Sequence, residues 1–578
     1  MQRGARTGEP RTTAVTAVIP PCTDASAWRT LRHGDEVSGT RAPWAREETG
    51  VSDSTSGMIQ IAGLGVTATP VPLAEVAIQL QPDDDVAVAK VELPPRRVID
   101  GPWGRLKVSH LIPVGHKVAL REVPEGGSVH RYGQIIGFAT VPIAPGDHVH
   151  SHNLAVHDFA RDANFGVDAR PVAYVPAERR RTFQGFLRAD GRVGTRNYVT
   201  VISTVNCSAT VTQRVADRFR EGLRERYPNV DGVIPITHKA GCAARYGGPE
   251  IAQLQRTLAG FAHHPNVGAY VIIGLGCEGN QVRDLLASQG LEGDAPPVFV
   301  IQDEGGLAEA VEAGVRAVEE LLPKVNEARR TTQSAEHLMV ALQCGGSDAW
   351  SGVTANPAVG LAADEVVRQG GTVVLGETTE VYGAEHLLAR RAVSPEVGEA
   401  LLERIHWWEE HTAMLGAEID NNPSPGNKAG GLTTIYEKSL GAIAKSGSTP
   451  LTAVVRYAHQ VTDHGFVHMD TPGYDPVSVT GQVAGGCNLV VFTTGRGSVF
   501  GFKPSPSIKV ATNPVLYRKM EADMDINAGR VLEGGTLEEV GQEIFEKILA
   551  VASGEHSKSE AQGVGEEEFN PWILGATL

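Results

Sequence analysis

The chain has 578 residues, 41% of them hydrophobic, and a formal net charge of -16. That length accommodates roughly three or four domains with substantial cores, and an acidic balance without a concentrated basic stripe argues against a nucleic-acid binder, which needs clustered Lys and Arg to neutralise phosphates. No uncharged apolar stretch approaches the ~18 residues of a membrane helix, so a soluble protein is expected.

Residues 1–57 are rich in Arg, Thr, Pro, Ser and Glu, with only the short run from Ala14 to Pro20 apolar, and read as a disordered extension without a signal peptide. Met58 opens the first sustained apolar segment and is an alternative start. Six cysteines in a long chain without a secretory signal point to a reducing cytoplasm, where thiols stay available for metal or catalysis.

Residues 58–160 read as a small all-β domain, its short strands divided by turn signals such as residues 124–127 and Ala144-Pro-Gly-Asp147. A charged, proline-containing linker, 161–182, leads to two α/β domains, 183–335 and a catalytic 336–578, with mostly parallel sheets. In the first, the runs 198–205, 232–237 and 267–274 alternate with helices predicted over 210–227 and 250–261. In the second, strands are predicted over 338–343, 372–375 and 489–493 and helices over 360–369 and 394–416. Such alternation is the pattern of βαβ units.

Five cysteines, Cys207, Cys242, Cys277, Cys344 and Cys487, sit in glycine- or polar-rich turns, most of them after an apolar run. On neighbouring parallel strands those turns meet at one sheet edge, where open α/β folds build ligand sites. The alternative is that each is a small buried hydrophobe. At the end of the β domain His148, His150 and His152 alternate, a spacing that on a strand shares one face, and His116 on a neighbouring strand can join them. Imidazole suits iron, zinc, copper or nickel; a solvated edge strand would look the same.

After the predicted strand 232–237 come His238, Lys239 and Cys242. The segment 274–281 presents Cys277 and Glu278 at a glycine turn without the spacing of a dinucleotide fingerprint, and 343–348 repeats the design with Cys344, Ser347 and Asp348, the last a candidate helix cap. The proline- and glycine-punctuated loop 422–431 carries Ser424, Asn427 and Lys428, types that suit a hydroxylated anion. Asp475 follows in 469–476, and Arg496, between two glycines, is suited to a carboxylate. There is no nucleophile elbow, P-loop or HExxH zinc motif.

Together these segments resemble the altronate and galactarate dehydratase family, in the ordered motifs at 191–197, 274–278, 344–348, 422–431 and 492–497. The β domain resembles the family's SAF-type domain at His116, Lys117, Tyr132, Gly133, His150, His152 and Asn153. The resemblance implies dehydration of an aldonic or aldaric acid to a 2-keto-3-deoxy product, with divalent iron, or manganese, as cofactor. It makes His116, His150 and His152 the expected metal ligands, Lys428 or His238 the base, and Arg196, Asn197, Ser424, Asn427 and Arg496 the substrate contacts. The rival metal site is an iron-sulfur cluster on Cys207, Cys242, Cys277 and Cys344. Alternatives are a carbon-sulfur lyase on sulfolactate-type substrates and a non-catalytic sugar-acid sensor. Expected partners are a small sugar acid and a second copy in a homodimer, with no nucleic acid and no membrane.

Overall fold

The computed structural model of the chain describes residues 69–159, 161 and 164–575. The extension expected to be disordered and Met58 lie outside the described residues. The β domain is built of short antiparallel ladders. Val86–Ala89, Lys117–Ala119 and His148–Val149 form one sheet with Ala77–Ile78, and Gln134–Ala139 pairs with Ser128–Arg131 and Leu154–Ala155 in another. The turn read at 144–147 is real: Gly146 takes φ +93, and a Cβ there would stand 2.1 Å from the Lys107 carbonyl oxygen, so only glycine fits.

In the next domain strands β1 (Tyr198–Ser203), β2 (Gly232–Ile236), β3 (Val267–Gly274) and β4 (Val298–Val300) form a parallel sheet in the order β2-β1-β3-β4. Every residue of β1 is buried, because the sheet is covered on both faces. Val199 and Val201 pack with helices α1 (Ala209–Asp217) and α3 (Leu307–Val325), while Tyr198 and Ile202 face α2 (Pro249–Ala262). The single helix predicted over 210–227 is broken. α1 ends at Asp217, Gly222 turns left-handed at φ 67, and a short helix restarts over Leu223–Arg226.

The last domain carries seven parallel strands: β5 (Met339–Cys344), β6 (Thr372–Leu375), β7 (Leu451–Val455), β8 (Gly465–Met469), β9 (Leu489–Thr494), β10 (Ser507–Ala511) and β11 (Ile526–Asn527). Their order is β7-β8-β6-β5-β9-β10-β11. Helices α4 (Ala355–Arg368) and α9 (Leu537–Ala552) cover one face over Val340 and Leu342. On the other, α8 (Asp475–Ala484) packs over Ala341, Val374 and Val490. Between them run α5 (Pro395–Met414), α6 (Pro425–Ala429) and α7 (Ile435–Ile443). Three antiparallel segments, Thr182–Leu187, Val193–Gly194 and Arg330–Ser334, join the two α/β domains.

One buried carboxylate fastens the β domain to this sheet. Glu437, on α7, accepts from Lys117 Nζ at 3.0 Å and from Arg131, and also from the backbone and hydroxyl of Thr433. Lys117 donates onward to the Gly431 carbonyl and Arg131 to that of Ala349. Against the cost of burial, Lys117 and Arg131 hold the Glu437 carboxyl down from its ordinary 4.5 to about 2. Its charge therefore contributes stability above about 4.5 that is lost as the pH falls towards 2. Removing one partner of such a group strands the others without compensation, so Glu437→Ala should cost ~3–5 kcal/mol. Urea unfolding should show this as an early transition of the β domain at pH 7, with the gap to wild type narrowing in acid.

Candidate active site

The chain enters the seven-stranded sheet at β5, builds outward through β6 to β8 and β7, then crosses back to lay β9 on the other side of β5. The crevice at the carboxyl ends of β5 and β9 is the topological switch point, where such sheets bind ligands. β5 delivers Cys344 and the turn 345–348 there, and β9 delivers Arg496, which is exposed. Asp348 is consumed in holding that turn. Its buried carboxylate accepts from the backbone of Trp350 and Ser351 and from Thr512 and Asn513, a local turn and not the expected helix cap, since the next helix starts at Ala355 with Thr354 as its N-cap.

Immediately behind lies a buried charged cluster. Among the described residues, Cys344, Glu377 and Glu380 form the one set of three cysteine, histidine or carboxylate donors whose ligand atoms all lie within 4.8 Å of one another. Cys344 Sγ is 3.6 Å from Glu377 Oε2 and 3.5 Å from Glu380 Oε2. Lys445 Nζ donates to Glu377 at 3.0 Å, and Lys438 Nζ donates to Glu380 and to Asn422 at 2.7 Å each. Burial pushes the Cys344 thiol up, with Glu377 adding to the shift. Burial beside Glu377 and Glu380 lifts Asp475, at the start of α8, to about 8. Glu377 keeps φ at 62, left-handed for a residue with a side chain, and its Oε1 is buried without a hydrogen-bond partner. A strained residue with an unsatisfied carboxylate oxygen in a crevice is the mark of a functional position. Two carboxylates and a thiolate fit a divalent transition metal.

The loop 422–431 closes over this edge. Ser424 and Asn427 cap α6 reciprocally, and Asn427 Nδ2 donates to the Ser347 carbonyl at 2.8 Å, so both fix the loop to the Cys344 turn. A Cβ on Gly430 would stand 3.0 Å from Asp348 Cβ and 3.2 Å from Arg496 Cδ. Lys428 is half-buried on this loop, and its carbonyl oxygen lies 2.9 Å from His150 Nε2. The β-domain histidines thus meet the loop, though not by strand alternation. The strand stops at Val149, and Asn153 pins the following turn by accepting from His150 N and donating to the His148 carbonyl. His116 Nδ1 faces His148 Nε2 at 3.0 Å, the His116 and His150 rings stack at 4.8 Å, and His152 touches the ring of His148. Burial lowers His116 to about 4 and His148 to about 3, leaving neutral rings. The expected ligand trio omitted His148, which has the closest facing nitrogen.

The remaining expected residues are placed elsewhere. Arg196 is buried in a bidentate pair with Glu560 and donates to the carbonyls of Thr195, Val551 and Glu555. Asn197 ties β1 to the carbonyls of Asn229 and Val325. Both positions are structural, with no donor left for a substrate. Both nitrogens of buried His238 are engaged, with the Ser203 carbonyl and with Ala240 N, and burial lowers it to about 4. The ring holds its own loop, which takes it out of the base role. The four cysteines proposed as one ligand set divide: Cys344 is buried in the last domain, whereas Cys207, Cys242 and Cys277 are exposed on the β1–β3 edge of the other. Sequence reasoning missed Glu377, Glu380, Lys438 and Lys445. The available signal was the acidic turn after the strand 372–375, the same design already noted after β5.

A parallel α/β edge carrying buried carboxylates with lysine counter-charges, closed by a polar loop and an imidazole-bearing β domain, has the make-up of a lyase acting on small acids. Three family models cover the chain: an altronate/galactarate dehydratase SAF domain at residues 75–157, a D-galactarate dehydratase/altronate hydrolase second domain at 185–326, and a D-galactarate/altronate dehydratase C-terminal domain at 335–577. The chain is 39% identical to the galactarate dehydratase (L-threo-forming) of Escherichia coli K12, over 78% of its own length and 88% of that protein. It is 32% identical to the altronate dehydratase of Bacillus subtilis 168, over 84% and 97%. It is also 33% identical to the (2R)-sulfolactate sulfo-lyase subunit beta of Chromohalobacter salexigens, over 67% and 96%. The chain belongs to the altronate/galactarate dehydratase family, and is accordingly a hydro-lyase. No helix among the described residues is long and apolar enough to cross a membrane.

Arg196→Lys separates a structural arginine from a substrate contact, since an ammonium cannot reproduce the bidentate fork. It should lower stability by ~1–3 kcal/mol and leave KM for the acid unchanged; a raised KM at unchanged stability would return Arg196 to the substrate.

Proposed function

We propose that this enzyme dehydrates a sugar acid such as altronate or galactarate to its 2-keto-3-deoxy product with a divalent metal, iron first and manganese second. The observation that carries the reading is the buried Cys344, Glu377 and Glu380 set with its two lysines at the switch point. It supports these three residues as the metal holders in preference to the histidine trio, of which His116 is engaged with His148 and the Ala429 carbonyl, and His150 with Ser151 and the Lys428 carbonyl. A metal bound there would supply Lewis acidity towards the carboxylate and 2-hydroxyl of the acid.

The chain's own groups do the rest. Arg496, exposed at the end of β9, takes a carboxylate, and Lys428 on the closing loop removes the proton at C2. As that proton leaves, negative charge spreads onto the carboxylate, and Lys438 and Lys445, fixed and charged, stabilise it without reorganisation. Hydroxide departs from C3 with a proton, leaving an enol that becomes the 2-keto-3-deoxy acid, so that one water is released per acid consumed. The enclosed space beside Cys344, lined by Tyr132, Ser347 and Lys438, measures about 10 Å³. That is about one water. The same reading has the enzyme act in the cytoplasm as a homodimer.

The test is anaerobic turnover of a panel of sugar acids with and without ferrous iron, reading 2-keto-3-deoxy acid. Glu377→Gln and Glu380→Gln should each lower iron-dependent activity ~100-fold or more, with iron affinity falling alongside. No turnover on any acid sinks the proposal. The sulfo-lyase relative supports a second reading, elimination of sulfite; sulfolactate belongs in the panel, and its preferential consumption would favour that reading.

A further inference from the structure

The second domain presents a cluster that the dehydration scheme does not use. β1, β2 and β3 are adjacent and parallel, and the loop leaving the carboxyl end of each carries one exposed cysteine: Cys207, Cys242 and Cys277. The three loops are interlocked by their backbones. Asn206 N donates to the Ala240 carbonyl at 3.0 Å, and Asn280 donates from its backbone to Gly241 and from its side chain to Thr204, each at 2.9 Å. Gly241 lies so close to the first loop that a Cβ would stand 2.3 Å from the Thr204 carbonyl oxygen, and a Cβ on Gly279 would stand 3.5 Å from that of Cys242.

The other ligand-type groups in these loops are spent on holding them. Glu278 accepts from Thr204 Oγ1, Leu275 N and Gly276 N, and both His238 nitrogens are occupied. What the loops leave on the surface is thiols. Cys207 sits in the turn leading into the nine-residue helix α1, and Gln302 Nε2 donates towards Cys277 Sγ at 3.5 Å. The three sulfurs do not all lie within 4.8 Å of one another. One ion with bonds of ~2.3 Å would need them within ~3.8 Å of one another, so a single zinc does not fit the three sulfurs as they are placed.

We propose that Cys207, Cys242 and Cys277 bind an iron-sulfur cluster through three thiolates, each cysteine giving up its proton, with one cluster iron left without a protein ligand and open to an oxygen donor from solvent. This centre is separate from the Cys344 set and does not depend on the scheme proposed there.

The full chain, purified anaerobically and reconstituted with ferrous iron and sulfide, is analysed for iron, acid-labile sulfide and visible thiolate-to-iron absorption, beside Cys207→Ala, Cys242→Ala, Cys277→Ala and the buried-thiol control Cys487→Ala. Wild type and the control should hold about one cluster per chain. Each of the other three variants should lose sulfide ~10-fold or more while keeping wild-type circular dichroism. A readout that needs no variant is alkylation: the three thiols in the reconstituted wild type should be protected until the cluster is chelated away. Absence of sulfide from reconstituted wild type, zinc in its place, equal sulfide in all variants, or unprotected thiols each overturns the proposal, whatever the dehydration assay gives.

Discussion

The site depends on one buried carboxylate. Glu437 has no stable place in the core without both Lys117 and Arg131, and those cations have none without Glu437. Because they arrive on the β domain and it stands on α7, satisfying the charge fixes where that domain sits. Its position in turn brings the His116 turn against the carbonyl of Ala429 and the His150 turn against that of Lys428. Apolar packing accompanies it, with Val88 against Ala349, Trp350 and Val353, so the charges specify an arrangement that hydrophobic burial also stabilises.

One residue further along the same helix the logic repeats with an excess. Lys438, the next residue, and Lys445 meet Glu380 and Glu377, but here a thiol, a third acid and an unsatisfied oxygen share the space. Where Glu437 is fully spent on structure, this second knot holds unused bonding capacity in a crevice, and a strained backbone at Glu377 maintains it. That difference separates a fastening from a reaction site in a fold that buries charge at both.

Much of the architecture was legible because parallel strands covered on two faces read as continuous apolar runs: the strands 267–274 and 372–375 were placed to the residue. The loop after the first was legible as a ligand-bearing turn, whereas the turn after 372–375, which carries Glu377 and Glu380, was missed. Side-chain fate was not. Arg196 and His238 have the residue types of substrate and proton chemistry, yet Glu560 and the Ser203 carbonyl claim them, partners 364 and 35 residues away. Spacing along a chain carries no record of such long-range satisfaction. Conversely Lys438 and Lys445 look like ordinary positions on a helix, and only the tertiary fold places them beside two acids. The histidine spacing suggested shared orientation, and the rings do gather, but through a turn that Asn153 imposes.

Anomalous diffraction at the iron edge, from crystals of the full chain grown anaerobically with ferrous iron, tests the central assignment most directly. The account predicts an iron peak in the last domain bounded by Cys344 Sγ and the carboxylates of Glu377 and Glu380. Iron between His116 and His148, with none at Cys344, would contradict it.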